Sequence, residues 1–84
     1  MYKIIRLEDN AEWTDEEINF LHFDKLGRYY KDSPKPEIGT ALIIGPIQIM
    51  YKWLTTPIEK IITNSETQIK FKTKNSTYEI IKLS

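Results

Sequence analysis

The side chains of this 84-residue chain best suited to holding a charged ligand are Arg28-Tyr29-Tyr30-Lys31, with Lys35 close behind. A tyrosine ring stacks on a nucleobase, and arginine or lysine neutralises phosphate. The same residues also have an ordinary reading, in which one tyrosine closes the core and the other faces water. A second group is the ladder Lys70, Lys72, Lys74, to which Lys52 could be joined. Lysines on the outer face of a hairpin serve solubility and edge protection as well as phosphate. A third group is apolar: Tyr51 and Trp53, with Met50, Leu54 and Ile43-Ile44, supply more apolar surface than one small sheet face needs. Any part of it left exposed would suit an interface, where tyrosine and tryptophan anchor binding.

Catalytic patterns are scarce. His22 is the one histidine, and among Ile18 and Leu21 it reads as a packing or surface residue rather than a general base. No serine sits in a nucleophile elbow, and there is no Walker or dinucleotide glycine pattern. Glu8, Asp9, Glu12, Asp15, Glu16 and Glu17 match no calcium-loop spacing and read as a solvated acidic patch. Cysteine is absent, which excludes disulfides and thiolate zinc sites. We therefore expect a protein that is not an enzyme, with no cofactor and no metal.

The elements that must position these residues follow from periodicity. Residues 68–74 alternate polar and apolar, then Asn75-Ser76 leads into 77–83. A type I′ turn on Asn75-Ser76 would pair Lys72 with Glu79 and Phe71 with Ile80. One face would then carry Ile69, Phe71, Thr73, Tyr78 and Ile80. Tyr2–Leu7 reads as a strand. Thr14 and Glu17 sit in capping-box positions, with Trp13 and Ile18 as a staple and Gly27 as the residue after the last turn. That predicts a helix over about 15–26. Two prolines, Pro34 and Pro36, make a loop. Thr40–Ile44, Ile47–Leu54 and Ile58–Thr63 read as further strands, broken by Gly45-Pro46 and Thr55-Thr56-Pro57. The expected fold is α+β, mainly β: a small antiparallel sheet or SH3-like barrel of five to six strands, with one N-terminal helix, in a single domain spanning 1–84.

Composition bounds the rest. A chain this short buries only about 60–65% of its unfolded surface, so association with further copies is an available source of stability. Twelve basic and twelve acidic residues cancel, but residues 1–40 hold six against nine, and 41–84 six against three. Such a dipolar chain is not built to wrap nucleic acid. There is no secretory pattern, and no apolar run approaches the roughly 20 residues of a membrane helix. A cytoplasmic protein that does not enter membranes is expected.

Thr55-Thr56-Pro57-Ile58, followed by Thr73-Lys74-Asn75-Ser76-Thr77-Tyr78, resembles a pattern in small accessory proteins of phages and mobile elements of Gram-positive bacteria. Those proteins carry Thr-Ser-Pro-Ile/Val before a strand and a final Thr-x-Asn-Ser-x-Tyr hairpin. Here Thr56 stands in place of the serine. The motif specifies turns and carries no site residue, and the resemblance covers about residues 55–83. It implies a phage-encoded protein of the bacterial cytoplasm, of a kind many of whose members are anti-defence proteins. The leading expectation is a binding protein that inhibits a defence system. It would dock on a defence protein, such as a CRISPR nuclease, or sequester a nucleotide messenger. The alternative is a small β-barrel that binds nucleic acid through the lysine and tyrosine surface.

Overall fold

The computed structural model describes residues 1–46 and 50–83. Among them the chain is all-β, with nine strands and no helix: β1 (Tyr2–Arg6), β2 (Ala11–Asp15), β3 (Ile18–Phe23), β4 (Tyr29–Ser33), β5 (Ala41–Ile44), β6 (Trp53–Leu54), β7 (Ile58–Asn64), β8 (Gln68–Thr73) and β9 (Thr77–Lys82). They form a five-stranded sheet of order β2-β1-β9-β8-β7 and a four-stranded sheet of order β4-β3-β5-β6, with every pairing antiparallel. Neither the α+β class nor a single sheet or SH3-like barrel of five to six strands describes it.

The helix expected over 15–26 is strand, turn and strand. Asp15, placed by the sequence in a first helical turn, instead accepts the Glu17 amide on its Oδ1 at 2.8 Å, closing a local Asx turn. The Glu17 carbonyl accepts the Gly45 amide at 2.9 Å, so the end of the acidic run bonds across to the far end of β5 and not to the next helical turn. Beyond it, Ile18 and Phe20 face the other sheet, while His22 and Leu21 are also buried. Aromatic and β-branched side chains fit such a doubly covered strand better than one helical stripe. Trp13 and Ile18, the expected staple, both reach the core, but from different sheets. Gly27 does take positive φ, at 79°, within the β3–β4 turn rather than after a helix. There Asp24 accepts the Gly27 amide on its carbonyl, and the Leu26 and Arg28 amides on Oδ1.

Two passages of chain bend from one sheet to the other. β2 runs into β3 through Glu16-Glu17, and β6 runs into β7 through Thr55-Thr56-Pro57. At the second bend the Thr55 hydroxyl accepts the buried Leu42 amide at 2.9 Å, while the Thr55 amide donates to the Leu42 carbonyl at 2.9 Å. Ile58 then exchanges backbone bonds with Gly39 and Thr40, tying β7 to the approach to β5. Between the sheets lie Ile4, Ile18, Phe20, Leu42, Phe71 and Ile80, with Phe71 edge-on to Phe20 at 6.2 Å and stacked on Tyr78 at 5.5 Å.

The C-terminal hairpin forms, two residues out of the expected register. Phe71 pairs with Tyr78, Ile69 with Ile80, Lys70 with Glu79 and Lys72 with Thr77. Asn75 is not among the positive-φ residues, so the type I′ turn is not made. Instead the Thr73 hydroxyl accepts the Asn75 and Ser76 amides at 3.3 and 3.1 Å, and the Thr73 amide donates to the Ser76 carbonyl at 2.8 Å. Of the strand expected over 47–54, only Trp53–Leu54 is strand among the described residues, and Ile47–Ile49 lie outside them.

Candidate functional site

The sheets part at one end to leave a cleft of about 500 Å³. Tyr2 on β1, Ile18 on β3, Ile69 on β8 and Ile80 on β9 give it an apolar floor. One wall is Pro34-Lys35-Pro36; the other is the turn from Asn64 to Gln68. Lys35, Lys82 and Glu66 supply its charged rim, and neither lysine is ion-paired among the described residues.

Both walls are fixed by short side chains. In the β7–β8 turn the Ser65 hydroxyl donates to the Gln68 carbonyl and accepts the Gln68 amide, each at 3.1 Å. In the proline wall the Ser33 hydroxyl donates to the Lys35 carbonyl at 3.1 Å, and the Thr40 hydroxyl to the Glu37 carbonyl at 2.7 Å. Pro36 is buried. A wall with two fixed proline φ angles and bonded ends loses little entropy when a ligand settles against it.

His22 lies beneath that wall. Its Nε2 is 3.3 Å from the Ser33 hydroxyl and 3.3 Å from Glu37 Oε2. A Ser-His-carboxylate relay needs the two partners on different ring nitrogens. Here both meet the same one, and the serine proton is directed at a backbone carbonyl. The arrangement holds a loop in place and is not set up to activate a nucleophile.

The residues singled out from sequence are dispersed. Arg28 is exposed, with its Nε donating to Asp24 at 3.2 Å. Tyr29 is exposed and donates to Asp32 at 3.3 Å; desolvation, then that carboxylate, raises its pKa. Tyr30 stands edge-on to His22 at 6.2 Å, and the Lys31 ammonium lies 5.9 Å from its ring. Lys70 and Lys72 lie on the outer face of the five-stranded sheet, Lys74 sits in the hairpin turn, and Lys72 is directly opposite Lys60. Tyr29 and Tyr30 belong to the other sheet, so the lysines and tyrosines do not form one surface. Tyr51 is exposed. Of the ten candidates Lys35 alone lines the cleft. Tyr2, Lys82 and Glu66 were missed, because what joins them is the meeting of β1, β9 and the β7–β8 turn and no local pattern announces it.

Trp53 has a structural post. Its indole packs on Trp13 at 5.2 Å and donates from Nε1 to the Tyr78 hydroxyl at 3.1 Å. The Arg6 guanidinium lies 5.1 Å from the Trp53 ring and 5.6 Å from that of Trp13. Arg6 also donates to both Asp9 oxygens, at 3.0 and 2.7 Å. This fork raises the Arg6 pKa and, with the Ala11 amide, lowers that of Asp9 to about 2. Three more residues of the acidic run are engaged, while none of the described contacts takes the carboxylates of Glu16 and Glu17. Glu8 accepts the Thr77 amide, Glu12 pairs with Lys3, and Asp15 pairs with Lys52. Among the described residues no group of histidine and carboxylates could hold a metal ion, and no helix is long and apolar enough to cross a membrane.

Comparison with protein-family models, with curated protein sequences and with solved structures gives no match to this chain.

Proposed function

We propose that the protein is a non-enzymatic binding protein that works by capture, holding a small anionic ligand with a ring or other apolar body in the cleft. The observation that supports this is the cleft itself: an apolar floor of Tyr2, Ile18, Ile69 and Ile80 beneath the ammonium groups of Lys35 and Lys82, which form no ion pair among the described residues. Binding sites of this size combine an apolar lining with a few placed polar groups. Together with the resemblance to phage accessory proteins, this favours a phage-encoded inhibitor that acts in the host cytoplasm by sequestering a nucleotide messenger, over one that docks on a defence protein.

The test is to incubate purified protein with cyclic mono- and dinucleotides, remove free nucleotide, denature, and analyse what is released. Intact nucleotide retained by the parent, and lost in Lys35→Glu/Lys82→Glu, supports capture. A parent that retains none rejects it, and degraded nucleotide rejects the non-enzymatic reading.

A second reading draws on Lys60 and Lys72, two like charges held side by side on the outer sheet face with Lys70 and Lys74 near. Like charges directly opposite one another disfavour the fold unless a polyanion lies over them. Single-stranded nucleic acid bound there would dissociate steeply with salt. No binding at low salt ends that reading.

A further inference from the structure

We infer that the cleft takes a guanine nucleotide in preference to the other bases, with the Glu66 carboxylate receiving the edge of the base and Lys35 and Lys82 the phosphate. The inference rests on the capture reading and names the ligand class for that same site. Glu66 is the one carboxylate among the described residues that line the cleft. It stands at the tip of the β7–β8 turn, where the Ser65 amide and hydroxyl both donate to the Gln68 carbonyl, at 2.8 and 3.1 Å, and the Gln68 amide donates back to the hydroxyl. The next residue is tied down as well, because the Lys82 amide donates to the Thr67 carbonyl at 2.9 Å. The backbone that carries the carboxylate is therefore fixed to the strand that carries one of the two cations. Among the described residues no ion pair joins Glu66 to either lysine, so the carboxylate is not already taken. Lys35 stands on the opposite, proline wall.

An ionised carboxylate accepts hydrogen bonds and donates none. Guanine alone among the common bases sets two donors side by side on its pairing edge, N1–H and N2–H, which match the two oxygens. Adenine and cytosine set a donor beside an acceptor, and uracil flanks its one donor with carbonyl oxygens. Each of these brings a lone pair against the carboxylate. Asn64 and Gln68 line the same wall, but an amide holds both a donor and an acceptor and can turn to suit any base. The choice therefore falls to Glu66. Tyr2, directly opposite Lys82 on the neighbouring strand, supplies an aromatic surface beside that cation.

The experiment is isothermal titration calorimetry at fixed salt and neutral pH. The probes are cyclic GMP, cyclic AMP and cyclic IMP, which lacks the N2 amino group, together with cyclic di-GMP and cyclic di-AMP. A bidentate contact to a base edge discriminates by about 5- to 150-fold, and an exposed carboxylate on a rim belongs at the lower end. The guanine nucleotide should therefore bind about five- to twentyfold tighter than its adenine counterpart, read on whichever pair binds, with cyclic IMP between the two mononucleotides. Glu66→Gln, at an exposed position, should abolish or reverse that ratio, since an amide pairs with adenine. The charge it removes favours every nucleotide alike and leaves the ratio untouched. Glu79→Gln removes a carboxylate beside Lys70 on the outer face of the same sheet and should keep the parent's ratio. Equal affinity for guanine and adenine nucleotides overturns the inference and leaves capture standing, as does a guanine preference that survives Glu66→Gln. A parent that binds no nucleotide defeats the capture reading and this one with it.

Discussion

Replacing Thr55 tests the bend between the sheets most sharply, because shape and hydrogen bonding predict opposite results. Thr55 is buried, and its hydroxyl takes the place of a backbone carbonyl in accepting the Leu42 amide on the fully buried strand β5. Thr55→Val keeps the volume and improves strand propensity, so a packing argument predicts no loss. The bonding argument predicts otherwise. The Leu42 N–H is left without a partner where water does not reach, at a cost of about 1–3 kcal/mol. The Thr56 carbonyl, which also loses the hydroxyl proton, belongs to an exposed residue and is rehydrated. Thr55→Ser keeps the acceptor and loses a methyl, costing about 0.8 kcal/mol. With total stability of about 4–13 kcal/mol for a chain of 84 residues, the difference is measurable by urea unfolding. Valine should lower the midpoint more than serine, and only valine should speed exchange of the Leu42 amide. A valine variant as stable as the parent, with Leu42 still protected, would refute the reasoning.

Phe71→Ala removes a ring wholly buried against Phe20 and Tyr78. It should cost about 3–5 kcal/mol, seen as a partly unfolded population by circular dichroism at room temperature. Gly45→Ala forces a side chain onto a φ of 98° and sets its Cβ 3.4 Å from the Lys52 amide and Tyr51 Cα. It should cost about 1–3 kcal/mol, read by thermal unfolding. Glu8, Asp9, Asp15 and Asp24 all have depressed pKa values, through backbone amides for Glu8, Asp15 and Asp24 and chiefly through Arg6 for Asp9. The folded state therefore binds protons less readily than the unfolded one. The resulting stability is fully present above the ordinary carboxylate range, near pH 4, and is lost as the pH falls towards about 2, where Asp9 titrates. Tm against pH should bend downward there, and less so in Asp9→Asn.

The hairpin shows what a period-two pattern specifies and what it leaves free. Ile69, Phe71, Thr73, Tyr78 and Ile80 share one face under either register, because the observed pairing differs from the expected one by two residues. Hydrophobicity chose the face and was indifferent to an even slip. The register was decided by Thr73, whose hydroxyl gathers the turn amides and closes the loop on Lys74-Asn75. Asn-Ser suggested the wrong pair of central residues because a serine or threonine before a turn competes with asparagine for the same amides. The resemblance motif meets the structure at Thr55-Thr56-Pro57-Ile58: the threonine replaces a ladder bond, and the proline stands at the bend where no ladder amide is needed.

The helix misreading and the missed cleft have one cause. Asp, Thr and Glu in the spacing of Thr14–Glu17 can satisfy free backbone amides at a helix start or in an Asx turn between strands, and local sequence does not choose between them. What chooses is β5, more than twenty residues away. Its Ala41–Ile44 run pairs with Ile18–Leu21 and draws them into a sheet, and Gly45 then claims the Glu17 carbonyl. Once residues 18–23 are a strand, Tyr29–Ser33 becomes its neighbour, and His22 comes to lie under the proline loop. The same pairing brings Ile18 to the mouth between the sheets, where Tyr2, Ile69 and Ile80 arrive from the other side. Lys35 could be picked out by its charge and its neighbours, but its place at the cleft depended on a long-range contact. A substitution that loosened β3 from β5, such as Ile43→Asp at a buried outer position, should therefore weaken ligand retention and fold together, whereas Lys35→Glu should weaken retention alone.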